Sequence, residues 1–216
     1  MTTRVYLVRH GVTALTEDHF AGETDVPLSE IGRGQARALG ARLAGEPIDA
    51  FYASPLARAL ETAKSIAAPH GREVVPRADL REMSHGIWEE RTRAEVESLY
   101  PAEYARWESD PFSFAPEGGE TGLAVTARAL PALLEIVASH PEARVLVVSH
   151  KATIRLLVAT LLGFDGRGYR NRLDSSPAGL SILDFGSTRA RLALFNDTSH
   201  YGSPVSVPPE TRARGK

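Results

Sequence analysis

Two of the seven histidines in this 216-residue chain stand directly after short apolar runs. An imidazole at the end of a strand is well placed for acid–base or nucleophilic work. His10 closes the run RVYLVR and is followed by Gly11, whereas His150 closes VLVVS and precedes a helical pattern. In an open α/β sheet the carboxyl ends of parallel strands share one edge, and ligands bind there where strand order reverses. If the two strands are neighbours, both imidazoles face one crevice. Arg9 and Arg58 supply positive charge at the same edge. Arg58 falls in the first turn of a helix opened by Ser54-Pro55, where free backbone N–H groups and the helix dipole favour an anion. A guanidinium adds a planar fork that donates two hydrogen bonds to phosphate. Two arginines, two histidines and a helix N-terminus together make a phosphate pocket. Hydrolysis of an ester also needs a proton for the leaving alkoxide, and Glu82, in LREM after a third short strand, is the candidate acid. That role requires Glu82 to hold a proton near neutral pH.

The elements that must carry these groups follow from the hydrophobic pattern. Short β-rich runs alternate with helical spacing, which argues for an α/β layered fold on a largely parallel sheet. Arg4 to Val8 predicts a first strand, and Ser29 N-caps a helix with Ala36, Leu39 and Leu43 on one face. Ala50 to Ala53 is a short strand, after which Ser54-Pro55 opens a helix with Pro at its first position. Glu73 to Val75 predicts a third strand; residues 83–119, rich in Trp, Tyr and Pro, loosen into turns and short helices. A long helix over 121–139 leads to the strand Val145 to Val148, and Ile154, Leu157, Val158 and Leu161 mark one face of the next helix. Strands near Ser181 to Phe185 and Arg191 to Phe195 complete the sheet.

Composition narrows the function classes. The 25 basic and 27 acidic residues nearly cancel, so no nucleic-acid or membrane-surface partner is expected, and anion binding must come from a local cluster. The absence of cysteine excludes disulfides, thiolate metal sites and a Cys nucleophile. The N-terminus lacks the apolar stretch of a signal peptide, and no segment approaches the roughly 20 apolar residues of a membrane span, so a cytoplasmic location is expected. One catalytic domain over 1–202 and a mobile, Pro-rich tail over 203–216 are expected.

Six segments fall into register with one family. LVRHG at 7–11, DVPLSEIGRGQA at 25–36, SPLARALETA at 54–63, LREMSHGIWE at 80–89, GGE at 118–120 and VVSHKATIR at 147–155 resemble the histidine phosphatase (phosphoglycerate mutase-like) superfamily. The resemblance covers roughly residues 4 to 200. It implies a three-layer α/β/α sandwich, no metal or organic cofactor, and His10 as the nucleophile that forms a phosphohistidine. It further implies that Arg9, Arg58 and His150 bind the phosphoryl group, and that Glu82 protonates the leaving oxygen and then activates water. Positive neighbours help keep His10 unprotonated. Thr16 and Gly22 count among the implied substrate-binding positions. The chain departs from the family where Val12 replaces the frequent Glu, Thr16 an Asn, and Lys151 a Gly.

Related mutases carry a longer insertion between the LRE and SH segments, which excludes water; the stretch here is short, favouring hydrolysis. His85, Lys151 and His200 are candidates to read the rest of the substrate, and the EMSHGIW and NDTSH segments resemble metal-independent phosphoserine phosphatases. The expected substrate is a small, carboxylated phosphoester. A cofactor-dependent phosphoglycerate mutase, an α-ribazole phosphatase and a non-catalytic phosphate-binding module are the alternatives. A metal-dependent hydrolase is disfavoured because flanking arginines repel a cation. His19, His70 and His140 read as surface residues, Trp88 and Trp107 as packing residues, and Glu120 as a structural helix-cap partner in preference to a second acidic group near the site. A homodimer through a sheet edge or helix face is compatible with the sequence.

Overall fold

The computed structural model describes residues 2–15, 18–187 and 189–201; Thr16 and the tail expected from 203 lie outside them. Six strands form one sheet: β1 (Thr3–Arg9), β2 (Ala50–Ala53), β3 (Val74–Pro76), β4 (Arg144–Ser149), β5 (Leu180–Phe185) and β6 (Ala190–Asp197). Their order is β3-β2-β4-β1-β5-β6. The first four are parallel, whereas β5 runs antiparallel to β1 and β6 antiparallel to β5. The helices are α1 (Glu30–Leu43), α2 (Ala57–Ala67), α3 (Arg93–Leu99), α4 (Pro101–Ser109), α5 (Gly122–Ser139), α6 (Lys151–Leu161) and α7 (Tyr169–Arg172).

Alternation along the strands produces two cores. Val5, Leu7, Val145 and Val147 pack with Val125, Leu133 and Ile136 of α5 and with Ile154 and Leu157 of α6. Tyr6, Val8, Leu146 and Val148 point the other way, onto Leu39 and Leu43 of α1 and Ala59, Ala63 and Ile66 of α2. A strand buried on both faces needs apolar residues at every position, which is why VLVV reads as a continuous run. A smaller third cluster of Phe20, Trp88, Val96 and Trp107 holds the irregular segment between residues 83 and 119.

Three expectations are corrected. The second helix starts at Ala57 with Leu56 as its N-cap, so Pro55 lies ahead of it. The reason is that the Ser54 N–H still donates to the Val148 carbonyl, while Ser54 Oγ accepts from the Leu56 N–H and makes a turn. The third strand covers Val74–Pro76, one residue later than expected. Finally, α5 reaches 18 residues at a mean hydropathy of 1.4, long and apolar enough for a membrane span by length and composition. Its Val125, Ala129, Leu133 and Ile136 are buried against the sheet, the stripe of a core helix.

Candidate active site

The parallel register of β1 and β4 sets Arg9 opposite Ser149, so the next residues, His10 and His150, emerge side by side with ring centroids 5.1 Å apart. Both are buried. The His10 backbone is fixed on two sides: its N–H donates to the Ser149 carbonyl and its carbonyl accepts from the Ala178 N–H. His10 Nδ1 lies 2.7 Å from the Gly11 carbonyl. A carbonyl only accepts, so Nδ1 carries the proton and Nε2 presents its lone pair. Burial, then the charges of Arg9 and Arg58, push the His10 imidazolium well below its ordinary pKa. Burial also holds His150 neutral, with His10 and Arg58 adding to the effect, and neither of its ring nitrogens meets a partner among the described residues. Gly11 is required here because a Cβ would sit 2.6 Å from the Gly32 carbonyl in the first turn of α1.

Arg9 donates to the Ser175 carbonyl at 2.6 Å. Arg58 is fully enclosed and divides its fork between the carbonyls of Thr24 and Gly22, both at 2.7 Å. Gly22 turns there with φ of +48°, so its link to the site runs through its carbonyl. The helix terminus expected to await an anion is taken: the Ala57 N–H of α2 donates to Asp25 at 2.7 Å. The N-terminus of α6 is taken too. Glu82 Oε2 accepts from the Ala152 N–H at 3.2 Å, and Oε1 accepts from the Met83 N–H at 2.9 Å and from the Thr153 N–H and hydroxyl at 3.3 Å. Arg128 of α5, for which the sequence carries no local signal, holds this segment by donating to the carbonyls of Asp79, Arg81 and Glu82. Its remaining partner is Glu120, which is therefore structural.

These groups open into a cavity of about 450 Å³. Arg9, His10, Gly22, Arg58, Glu82, His85 and Lys151 all line it, so seven of the expected site residues are brought together. His150 lies behind His10, and Thr16 is outside the described residues. His200 does not line the cavity. Asp197 and Ser199 bind Arg42 of α1, and this turns His200 toward Arg42, with its ring edge on Tyr201. His19, expected at the surface, is half-buried and lines the cavity. His70 and His140 are half-buried outside it; His140 pairs with the Tyr52 hydroxyl at 2.9 Å. Trp88 is a packing residue, but Trp107 both packs and lines the cavity. There His85 is wedged between Phe20 and Trp107, and Arg170 stacks over Trp107 at 3.9 Å. Arg93, Arg155, Tyr169 and Arg170 also line it and were not anticipated. For Arg155 a signal existed: it stands four residues after Lys151 on α6, hence on the same helix face.

Residues 5–198 match the model of the "Histidine phosphatase superfamily (branch 1)". The chain is 32% identical over 200 residues to phosphoserine phosphatase 1 of Hydrogenobacter thermophilus, covering 92% of this chain and 94% of that one. It is also 32% identical over 219 residues to glucosyl-3-phosphoglycerate phosphatase of Mycobacterium tuberculosis, covering 94% and 98%. Among solved structures, Bacillus stearothermophilus YhfR superposes with a TM-score of 0.87 at 31% identity, over 92% of this chain and 98% of that one. With the strand-end histidines, the arginines and the cavity in place, the chain belongs to the histidine phosphatase superfamily and is a phosphoric monoester hydrolase.

Proposed function

We propose that the chain hydrolyses a small phosphomonoester bearing a second anionic group, through a phosphohistidine on His10. The observation that carries the mechanism is the His10 tautomer: Nδ1–H is bound to the Gly11 carbonyl, so Nε2 is the free nucleophile. Nε2 attacks phosphorus and the bond to the leaving oxygen breaks, while Arg9 and Arg58, which line the cavity, meet the charge on the equatorial oxygens and the buried, neutral His150 stands against the His10 ring. Glu82 gives a proton to the leaving oxygen, then takes one from the water that attacks phosphorus and releases His10. Oε2 is the oxygen for this exchange, because it accepts one backbone hydrogen bond where Oε1 accepts two. The substrate class rests on charge: Arg9, Arg58, Arg93, Lys151, Arg155 and Arg170 line the cavity, and among the described residues Glu82 is the one carboxylate that lines it with them. Phosphoserine and glucosyl-3-phosphoglycerate, named for two relatives, both carry a carboxylate beside the phosphoester.

Phosphate release from a panel of phosphoesters in excess EDTA, wild type beside His10→Ala, tests this reading. Chelator-resistant turnover that vanishes in the variant, with acid-labile label trapped on wild type only, is the expected result. Turnover that survives in His10→Ala would sink the phosphohistidine mechanism.

A further inference from the structure

Arg155 has no part in the chemistry above, yet it is 91% shielded from solvent and lines the cavity. A buried guanidinium normally has its donors matched by carboxylates or carbonyls. Among the described residues the one side-chain partner of Arg155 is Asp174, at 3.5 Å, and the Asp174 side chain is itself 85% exposed. The Nε–H of Arg155 is buried with no partner among the described residues. Arg9, Glu82 and Tyr169 line the same cavity, close enough for their charges to act on Arg155. Tyr169 is itself buried, and burial drives its pKa up to about 12, so it stays a neutral hydrogen-bond donor. Arg93 and Arg170, by contrast, share Glu108 at 3.8 and 2.8 Å and stack on aromatic rings, so their charge is already partly answered.

We propose that Arg155, with the Tyr169 hydroxyl beside it, forms the subsite for the substrate's second oxyanion, a carboxylate or a second phosphoryl group, while the first phosphoryl sits at His10. The inference rests on the phosphomonoesterase reading of the same cavity and names the residues that select within it. Arg155 is a binding group that touches the distal oxyanion and takes no part in bond breaking. Removing it therefore weakens substrate and transition state alike and acts through KM.

The test compares 3-phosphoglycerate and glycerol 1,3-bisphosphate with sn-glycerol 3-phosphate, which keeps the ester but has a neutral hydroxymethyl group at the distal end. Wild type is expected to prefer one of the two doubly anionic esters. Arg155→Gln is expected to cut that preference, a ratio of kcat/KM values, on the order of 10- to 100-fold, mainly in KM, with partial return in Arg155→Lys. Whichever ester shows the loss identifies the carboxylate or the phosphoryl as the natural group. Tyr169→Phe, which removes one oxygen, gives a smaller loss of the same ratio and stands in if Arg155→Gln fails to fold. Calorimetric titration of His10→Ala with 3-phosphoglycerate and with the bisphosphate, with and without Arg155→Gln, reads the subsite without turnover. A failed phosphohistidine mechanism therefore leaves that arm intact. A wild type with no preference, or a ratio and affinity unmoved by Arg155→Gln and Tyr169→Phe, overturns the subsite.

Discussion

The cavity has two sides built on different principles. On one, Arg9 and His10 stand at the end of β1, with His150 behind them at the end of β4, fixed by ladder register and by backbone hydrogen bonds of His10 with Ser149 and Ala178. On the other, Phe20, His85 and Trp107 are held by ring contacts within a small aromatic cluster, with Arg93 and Arg170 laid over them. Ladder register tolerates little displacement, since a slip of one residue would turn every side chain to the other face. Ring packing depends on volume and can be rebuilt with different residues. The strand-end groups are therefore placed by the backbone, and the aromatic wall by its side chains.

The sharpest way to break this contrast is at Arg58, which faces the phosphate pocket and also ties down the carbonyls of Gly22 and Thr24. Arg58→Ala is expected to cost about 10³-fold in kcat/KM, measured on any ester the wild type accepts. Next comes Glu82→Gln. Loss of the proton donor should slow alkyl phosphates by roughly 10²- to 10⁴-fold, and p-nitrophenyl phosphate far less because its leaving group needs no proton. Equal losses on both ester types would remove Glu82 from the acid role. On the recognition side, Trp88→Ala empties a fully enclosed site that does not line the cavity. It should lower stability by about 3–5 kcal/mol in urea titration and raise KM more than it lowers kcat.

The smallest effect is a pH dependence. Burial pushes His85 down to about 4, from 6.5 in the unfolded chain. The unfolded state then takes up a proton that the folded ring refuses, so the stability contribution is complete above pH 6.5 and is lost as pH falls toward 4. At pH 5 the loss is about 2 kcal/mol. His10 and His150, lowered for the same reason, act in the same direction. Urea midpoints at pH 7 and pH 5 check this, and His85→Asn should flatten part of the slope.

The same contrast explains what could be read from the chain alone. His10, His150, Arg9 and Arg58 were legible because each stands beside a periodic element whose end is marked in the sequence. The α2 start was misjudged because Ser54-Pro55 reads as a helix opening, while the ladder bond from Ser54 to Val148 depends on a strand 94 residues away. His200 shares the same fault: its orientation follows from Arg42 and Asp197, partners that no local pattern joins. The aromatic wall is illegible for a related reason, since Phe20 and His85 come from two separate loops and Trp107 from the short helix α4. Arg128 shows the limit most plainly, because a single arginine in a long apolar helix gives no hint that it seats Glu82 by three carbonyls.

Both helix N-termini beside the pocket hold carboxylates of the protein itself, Asp25 on α2 and Glu82 on α6. An anion that enters the pocket finds the Ala57, Ala152 and Thr153 N–H groups already engaged by the protein itself. The chain's own acids thus act as placeholders on the two helix dipoles.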